Sequence, residues 1–267
     1  MNKGNISNLL RKLKLMHLTD RIRYYVQSFK NRQANRAFVN ANPNNKLPPD
    51  YLMYESFQIN YEKYLIGGRE VASWIVDNLR KYVSTQEVSV LDWGCGPGRV
   101  VRHMPELLGT QSKVYGTDYN EKSIAWCKNN LSNIDFNLNT LEPSLPYVDG
   151  QFDFIYGISI FTHLSEEMHY KWSAELKRVL KKDGILFLTS QGDNFKKIMS
   201  PTELAQYNKG ELVVRGNVVE GHRTYSAFHP DSFMSSLFAN DEILDVIIQE
   251  VKDGKATPQD AWVIRKV

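Results

Sequence analysis

Three glycines at alternate positions, Gly94, Gly96 and Gly98, stand directly behind Asp92 in the stretch LDWGCGPGR. Glycine weakens helices and strands because it loses the most backbone entropy on folding, so such a cluster marks a local steric demand. The preceding VSVL is apolar and β-rich, and the following VVRHMPELL opens a helix, which sets the glycines on a strand-to-helix turn. A turn of this kind presents helix amides and a positive dipole end at the carboxyl edge of a sheet, where open α/β folds bind nucleotide-like ligands. Of the six histidines, His163, His222 and His229 fall near the edge where chemistry is expected. Histidine is the usual base near neutral pH, and His163 and His229 are the candidates for that work.

The elements that must position these groups alternate from Val88 onward. Candidate strands are Val88 to Asp92, Lys113 to Asp118, Asp135 to Asn139, Phe152 to Gly157, Ile185 to Thr189, Ile243 to Gln249 and Ala261 to Lys266. Helical patterns between most of them predict an α/β fold with a mainly parallel, doubly wound sheet of seven strands. The clearest helix is Ser165 to Lys181, with a serine cap, Glu166 and Glu167 in its first turn and lysines before Gly184. Its Met168, Trp172, Leu176, Val179 and Leu180 form a buried stripe. Another helix is expected from Arg69, with Val71, Ile75, Val76 and Leu79 on one face.

At 267 residues, with 42% hydrophobic and 24% charged content, the chain is an ordinary globular one with room for a sizeable core. No run approaches the length of an apolar membrane span and no signal-peptide core opens the sequence, so a cytoplasmic location is the expectation. Cys95 and Cys127 are the only cysteines, and neither lies in a cluster with zinc spacing. Two reduced thiols and no metal are expected. The net charge of +3 is uneven: residues 1–40 carry nine basic side chains against Asp20 alone. Ile6, Leu9, Leu10, Leu13 and Met16 follow helical spacing there, as do Ile22, Tyr25, Val26 and Phe29, which predicts two short amphipathic helices. This arm either lies over the core or meets a partner, with peripheral contact at the inner face of an anionic membrane as one outcome. Nucleic-acid binding is not expected, since no aromatic-basic module or zinc finger accompanies the charge.

The glycine spacing narrows the ligand. A dinucleotide fingerprint would place a third glycine at position 99, which is Arg99, and no Gly-Lys-Ser/Thr ending makes a triphosphate loop. The pattern Asp92-x-Gly94-x-Gly96-x-Gly98, followed 26 residues after Asp92 by Asp118 in VYGTDYN, resembles the first two motifs of class I methyltransferases that use S-adenosyl-L-methionine. The resemblance covers roughly Arg69 to Lys266. It implies a Rossmann-like sheet and a cofactor held by Asp92, Gly94, Cys95 and Gly96, with Asp118 accepting hydrogen bonds from both ribose hydroxyls. A carboxylate suits that role, as an acceptor-only group able to take two donors. By the same resemblance Tyr119, Asn139, Thr140 and Leu141 meet the adenine. Gly157, Ile158 and Ser159 of FDFIYGISIFTHL line the methionine side, and Arg69 is a candidate for the methionine carboxylate.

Methyl transfer explains why a base is hard to nominate from sequence. An activated sulfonium methyl needs its nucleophile, carbon and sulfur held in line, and a base helps only where the acceptor is a hydroxyl. Acceptor choice is expected from residues outside the common sheet. Residues 191–230 form a long insertion after the fifth strand, in which LVVRGNVV and RTYSAF predict a hairpin with EGH at a turn. Residues 1–68 form a basic helical extension or cap ahead of a methyltransferase domain over 69–267. The stretches NRQANRAFVNANP, LPPDYLMYE and FHPDSF look similar to bacterial methyltransferases that accompany polysaccharide and lipopolysaccharide assembly. That similarity implies a small-molecule or glycan acceptor and O-methylation of a sugar. A protein or RNA acceptor, or a non-catalytic module that binds S-adenosylmethionine, are the alternatives.

Overall fold

The computed structural model describes residues 3–251 and 256–267, and the chain divides into two compact units. One comprises residues 18–142, and the other joins the N-terminal residues up to His17 to residues 143–267. Helix α1 (Lys3–Lys12) belongs to the second unit, and α2 (Met16–Ala41) passes into the first.

In the first unit α3 (Asp50–Ser56) and α4 (Tyr61–Leu79) precede β1 (Ser89–Trp93). After the glycines the chain makes one 3₁₀ turn, Val101–His103, then α5 (Met104–Leu108), β2 (Lys113–Asp118), α6 (Glu121–Asn130) and β3 (Asp135–Leu138). The strands run parallel in the order β3-β2-β1, in a register that sets Asp92 beside Gly116 and Asp118 beside Leu138. Val90, Leu91 and Trp93 of β1 are all buried, as a parallel strand covered on both faces requires. Helix α4 begins earlier than its apolar periodicity suggests, because the Asn60 side chain caps it by accepting the Lys63 N–H at 2.9 Å.

The second N-terminal helix is not short: α2 runs for 26 residues. It also lies with its polar stripe inward. Asp20 accepts the Tyr54 hydroxyl at 2.8 Å, Tyr24 meets the Tyr54 and Tyr51 rings, and Asn31 accepts from Asn60 at 3.1 Å. Gln27 and Asn35 accept the backbone N–H groups of Ile59 and Tyr61. These contacts recur every three or four residues, so they hold the polar tail of the helix in register where apolar packing would ordinarily do so. Leu18, Ile22, Tyr25 and Phe29 are left outside, from 54% to 80% exposed.

The second unit contains β4 (Phe152–Gly157), α7 (Glu166–Val179), β5 (Leu180–Ser190), α8 (Pro201–Asn208), β6 (Val213–Arg215), β7 (Ser226–Phe228), α9 (Asp231–Leu237), β8 (Glu242–Ile247) and β9 (Asp260–Arg265). Strand order is β4-β5-β9-β8, with β4 and β5 parallel and β9 antiparallel to both neighbours. Three strands in one unit and four in the other make up the expected seven-stranded α/β sheet. Strands β6 and β7 pair antiparallel as the hairpin of the insertion, which also holds α8 under a Ser200–Glu203 capping box. Helix α1 is fastened to that hairpin. Arg11 is buried and donates to the carbonyls of Arg215, Gly216 and Thr224, while Asn8 donates to Glu203, itself paired with Arg215 at 2.8 Å. Among the described residues no helix is long and apolar enough to cross a membrane.

Candidate functional site

The glycine turn after β1 is built from left-handed backbone. Gly94, Gly96 and Gly98 have φ of 77°, 51° and 78°, a region where a Cβ is strained. The N–H groups of Gly94 and Cys95 donate to the Thr117 carbonyl at 2.8 and 2.9 Å, which folds the turn back over the end of β2. A Cβ on Gly96 would stand 3.1 Å from Ser56, and one on Gly98 would meet Leu131 at 2.5 Å. Helices α3 and α4 close on the same turn. The Tyr64 hydroxyl donates to the Pro97 carbonyl at 3.0 Å, the Arg99 guanidinium lies 4.4 Å from the Phe57 ring centre, and a Cβ on Gly68 would run into the Arg99 carbonyl.

Asp118 sits at the centre of this arrangement. Its Oδ2 accepts the Gly96 N–H and its Oδ1 the Asn120 N–H, each at 2.8 Å. Burial, opposed by those two bonds and assisted by the charge of Glu55, pushes the carboxyl up to about 6. Two bonds leave half of a carboxylate's acceptor capacity for further donors, which is what a vicinal diol offers. Tyr119 is 43% exposed beside it, its phenol pushed up to about 12 by burial and by Asp118 and Glu55. Asn139 accepts the Thr117 hydroxyl at 2.9 Å and donates its backbone N–H to the Asp118 carbonyl at 3.1 Å. Thr140 and Leu141 follow it, with Leu141 36% exposed.

The other first-unit residues have plainer surroundings. Asp92 is buried at the end of β1. The Cys95 thiol, also buried, donates to the Gly96 carbonyl at 3.4 Å, and burial pushes it well above the usual thiol range, so it is no nucleophile. Cys127 is likewise free and buried. Arg69 commits its guanidinium to two hydrogen bonds with Glu106, 2.6 and 3.0 Å long, on an exposed face. Glu55 was not singled out by any sequence pattern. It accepts from the Asn120 side chain at 3.1 Å and reaches Asp118 only through the fold of α3.

In the second unit Gly157 ends β4, and Ser159 adopts φ of 65°. The Ser159 hydroxyl and that of Thr189 both donate to Gln259 Oε1, at 3.0 and 2.6 Å, and Thr189 Oγ1 also accepts the Ser159 N–H. Ile158 lies between, half-buried. His163 donates Nδ1–H to the Tyr225 carbonyl at 2.8 Å, which leaves Nε2 as the lone-pair nitrogen. Burial lowers it below the usual histidine range. His229 has 0% exposure and both nitrogens engaged: Nδ1 accepts the Gln191 N–H at 3.3 Å, and Nε2 lies 2.9 Å from Nε2 of His169. His169 donates Nδ1–H to the Ser165 carbonyl at 2.7 Å, so the shared proton belongs to His229. His222 meets the Thr224 hydroxyl at 2.9 Å. Among the described residues no three histidine, cysteine or carboxylate side chains are placed to hold a metal ion.

Residues 90–184 match the family described as methyltransferase domain. A curated relative, malonyl-[acyl-carrier protein] O-methyltransferase of Bacillus cereus, is 24% identical over 179 residues, covering 63% of this chain and 61% of its own. The match thus spans less than two thirds of that relative's length. An S-adenosylmethionine-dependent methyltransferase from Methanosarcina mazei has a similar fold, with a TM-score of 0.55 and 21% identity over 71% of this chain and 97% of its own. So does the magnesium protoporphyrin IX methyltransferase of Synechocystis, solved with S-adenosylhomocysteine, at 0.53 and 12% over 91% and 98% of the two chains.

Proposed function

We propose that this chain, which carries a class I S-adenosylmethionine-dependent methyltransferase domain, transfers a methyl group from that cofactor to a hydroxyl of a small-molecule or glycan acceptor, a sugar. The observation that carries the cofactor side is the Asp118 carboxylate, latched to Gly96 and Asn120 with acceptor capacity to spare for a ribose diol. Asp118 would hold the ribose, Tyr119 and Asn139 to Leu141 the base, and Gly157 to Ser159 the methionine side. When bound, the cofactor supplies a sulfonium methyl already activated for displacement.

The chain's own task is to orient the acceptor and remove its proton. His163 suits the second part, because the Tyr225 carbonyl fixes Nδ1–H and burial keeps the ring neutral, so that Nε2 can take a hydroxyl proton. The insertion over 191–230 would select the acceptor, since the hairpin carrying Tyr225 is part of it. Incubation with methyl-labelled cofactor and pools of sugars, malonyl-[acyl-carrier protein], protein and RNA tests the reading. Label in a sugar supports it. Label only in protein or RNA replaces the acceptor, and cofactor binding without turnover on any pool makes the chain a binding module.

We propose in addition that α2 rests on an anionic bilayer. Its outward stripe of Leu18, Ile22, Tyr25 and Phe29 is flanked by exposed Arg21 and Arg32 on one side and Arg23 and Lys30 on the other. Apolar side chains with basic neighbours suit the boundary between acyl chains and acidic headgroups. A second copy of the helix would set like charges together. Helix α1 is not part of this surface in the same way, because Arg11 is committed to the hairpin.

A further inference from the structure

The second unit holds a group of acidic side chains that the methyl transfer described above does not use. Asp260 opens β9, in register with Ser190 of β5, and is 3% exposed. Its Oδ1 has no hydrogen-bond partner among the described residues, and its Oδ2 lies against Gly192, where any Cβ would collide with it. Asp231 at the start of α9 and Asp193 after β5 are close enough to act on it electrostatically. Burial first, and then those two charges, push the Asp260 carboxyl up to about 6. Burial and Asp193 raise Asp231 likewise.

The positive charge beside them is Lys196, whose ammonium lies 2.8 Å from Asp193 and 5.1 Å from the centre of the Tyr207 ring. The Tyr207 hydroxyl stands 3.0 Å from Asp193 Oδ1. Lys196 acts on Asp193 and Asp231, so three carboxyls against one ammonium leave negative charge in excess, and the buried Asp260 oxygen without a donor calls for an explanation. A bound donor supplies one. No group with metal-ligating composition and spacing occurs here, whereas Lys196 shows that an ammonium fits between Asp193 and an aromatic ring.

The group also has a position relative to the site. Gln259, one residue before Asp260, takes the hydroxyls of Ser159 and Thr189. Gln191, one residue before Gly192, donates to His229.

We propose that Asp193, Asp231 and Asp260 form a subsite for a cationic amine on the acceptor, so that the acceptor is an amino sugar or a comparable amino alcohol. This rests on the reading that the chain methylates a small hydroxyl-bearing acceptor, and it narrows that acceptor by charge. A neutral molecule can donate to Asp260 Oδ1 but leaves the excess negative charge uncompensated, and a carboxylate-bearing one adds a fourth negative charge.

Calorimetry in the presence of S-adenosylhomocysteine tests it, with methyl glucosaminide, methyl N-acetylglucosaminide and methyl glucoside as probes. The wild-type protein is expected to bind the amine at least about tenfold tighter than the two neutral sugars, as a charge-assisted contact implies. Asp260→Asn and Asp231→Asn should each abolish that preference. Removal of an uncompensated buried charge should leave the melting temperature of Asp260→Asn at or above that of the wild type at pH 7.5, which separates lost binding from lost folding. Equal affinity for the three sugars, binding of none of them, or a preference that survives both substitutions would overturn the proposal. So would an Asp260→Asn protein that loses affinity for S-adenosylhomocysteine by the same factor, since the carboxyls would then serve the cofactor's own ammonium. These are binding readouts, so a failure of O-methylation in the turnover assay leaves them standing and is a separate result.

Discussion

The imidazoles of His169 and His229 meet nitrogen to nitrogen, Nε2 to Nε2 at 2.9 Å, and neither ring has any exposed surface. From the Gln191 N–H through both rings to the Ser165 carbonyl, every donor has one acceptor, and the chain of bonds ties the end of β5 to the start of α7. Both rings must be neutral for it to exist. Burial depresses both below the ordinary histidine value, His169 to about 4, with the His169 neighbour adding to the depression at His229. On acidification the unfolded chain takes up its protons first. The pair's stabilisation is therefore whole above about pH 6.5 and drains away as pH falls toward 4. Thermal melts between pH 7.5 and 4.5 should show this loss, and His169→Gln should flatten it. A melting temperature that does not change across that range would contradict the assignment.

His163→Gln is expected to lower kcat by about 10² to 10⁴ with little change in cofactor affinity, the usual loss on removing a general base. Burial lowers the His163 pKa, and the neutral form is the active one. The wild-type rate should thus rise with pH to a plateau whose midpoint lies below 6.5, and the substitution should remove that limb. Full turnover by the variant would show that the reaction needs no base at this position.

Asp118→Ala should weaken S-adenosylmethionine binding by roughly ten- to hundredfold, since hydrogen bonds to a charged group are worth about 1.5–3 kcal/mol. In the free protein the carboxyl titrates near 6, and hydroxyl donors favour its charged form. Affinity is accordingly greatest above pH 6 and declines below it. Calorimetry at pH 7.5 and 5 reads both effects, and an affinity independent of pH and of the substitution would remove Asp118 from the site.

Gly98→Ala should cost about 1–3 kcal/mol in urea unfolding, because a φ of 78° strains any side chain and its Cβ would press on Leu131. Gly150→Ala is the control: its φ of 62° is also left-handed, but the nearest atom to its Cβ lies at 3.9 Å, an ordinary contact. A smaller loss at Gly150 isolates the steric part.

Co-sedimentation with phosphatidylserine vesicles should retain the wild-type chain at low salt and release it at high salt, since such attraction is screened within about 8 Å at physiological ionic strength. Phe29→Glu and Ile22→Glu should abolish retention and leave cofactor affinity intact. Wild-type protein that stays in the supernatant with anionic vesicles at low salt would refute the bilayer proposal.

What was legible in the sequence follows from which physical constraints are local. Three glycines at alternate positions report left-handed backbone whatever lies around them, and the alternation of strand and helix after Val88 reports a wound sheet. The cofactor class came instead from the resemblance of the Asp92-to-Gly98 pattern, with Asp118 after it, to the first two motifs of class I methyltransferases. Glu55 and Ser56 were not legible, because they reach Asn120 and Gly96 through a seven-residue helix with no periodic pattern. The apolar spacing of Ile22, Tyr25 and Phe29 was visible, yet periodicity says only that the residues share a face. Which face turns inward was decided by hydrogen bonds from Asp20, Gln27, Asn31 and Asn35 to residues 54–61. The insertion's hairpin could be read from alternation, whereas its attachment to α1 depends on contacts two hundred residues apart.

Arg11 leaves the ribosome long before the carbonyls it binds. The first of them, at Arg215, is 204 residues further on, and at about 5–20 residues per second the guanidinium waits roughly 10–40 s for it to be made. Until then the hairpin does not exist and α1 has nothing to close upon. Synthesis order thus lets the hairpin set only late, its clamp being a side chain that was among the first translated.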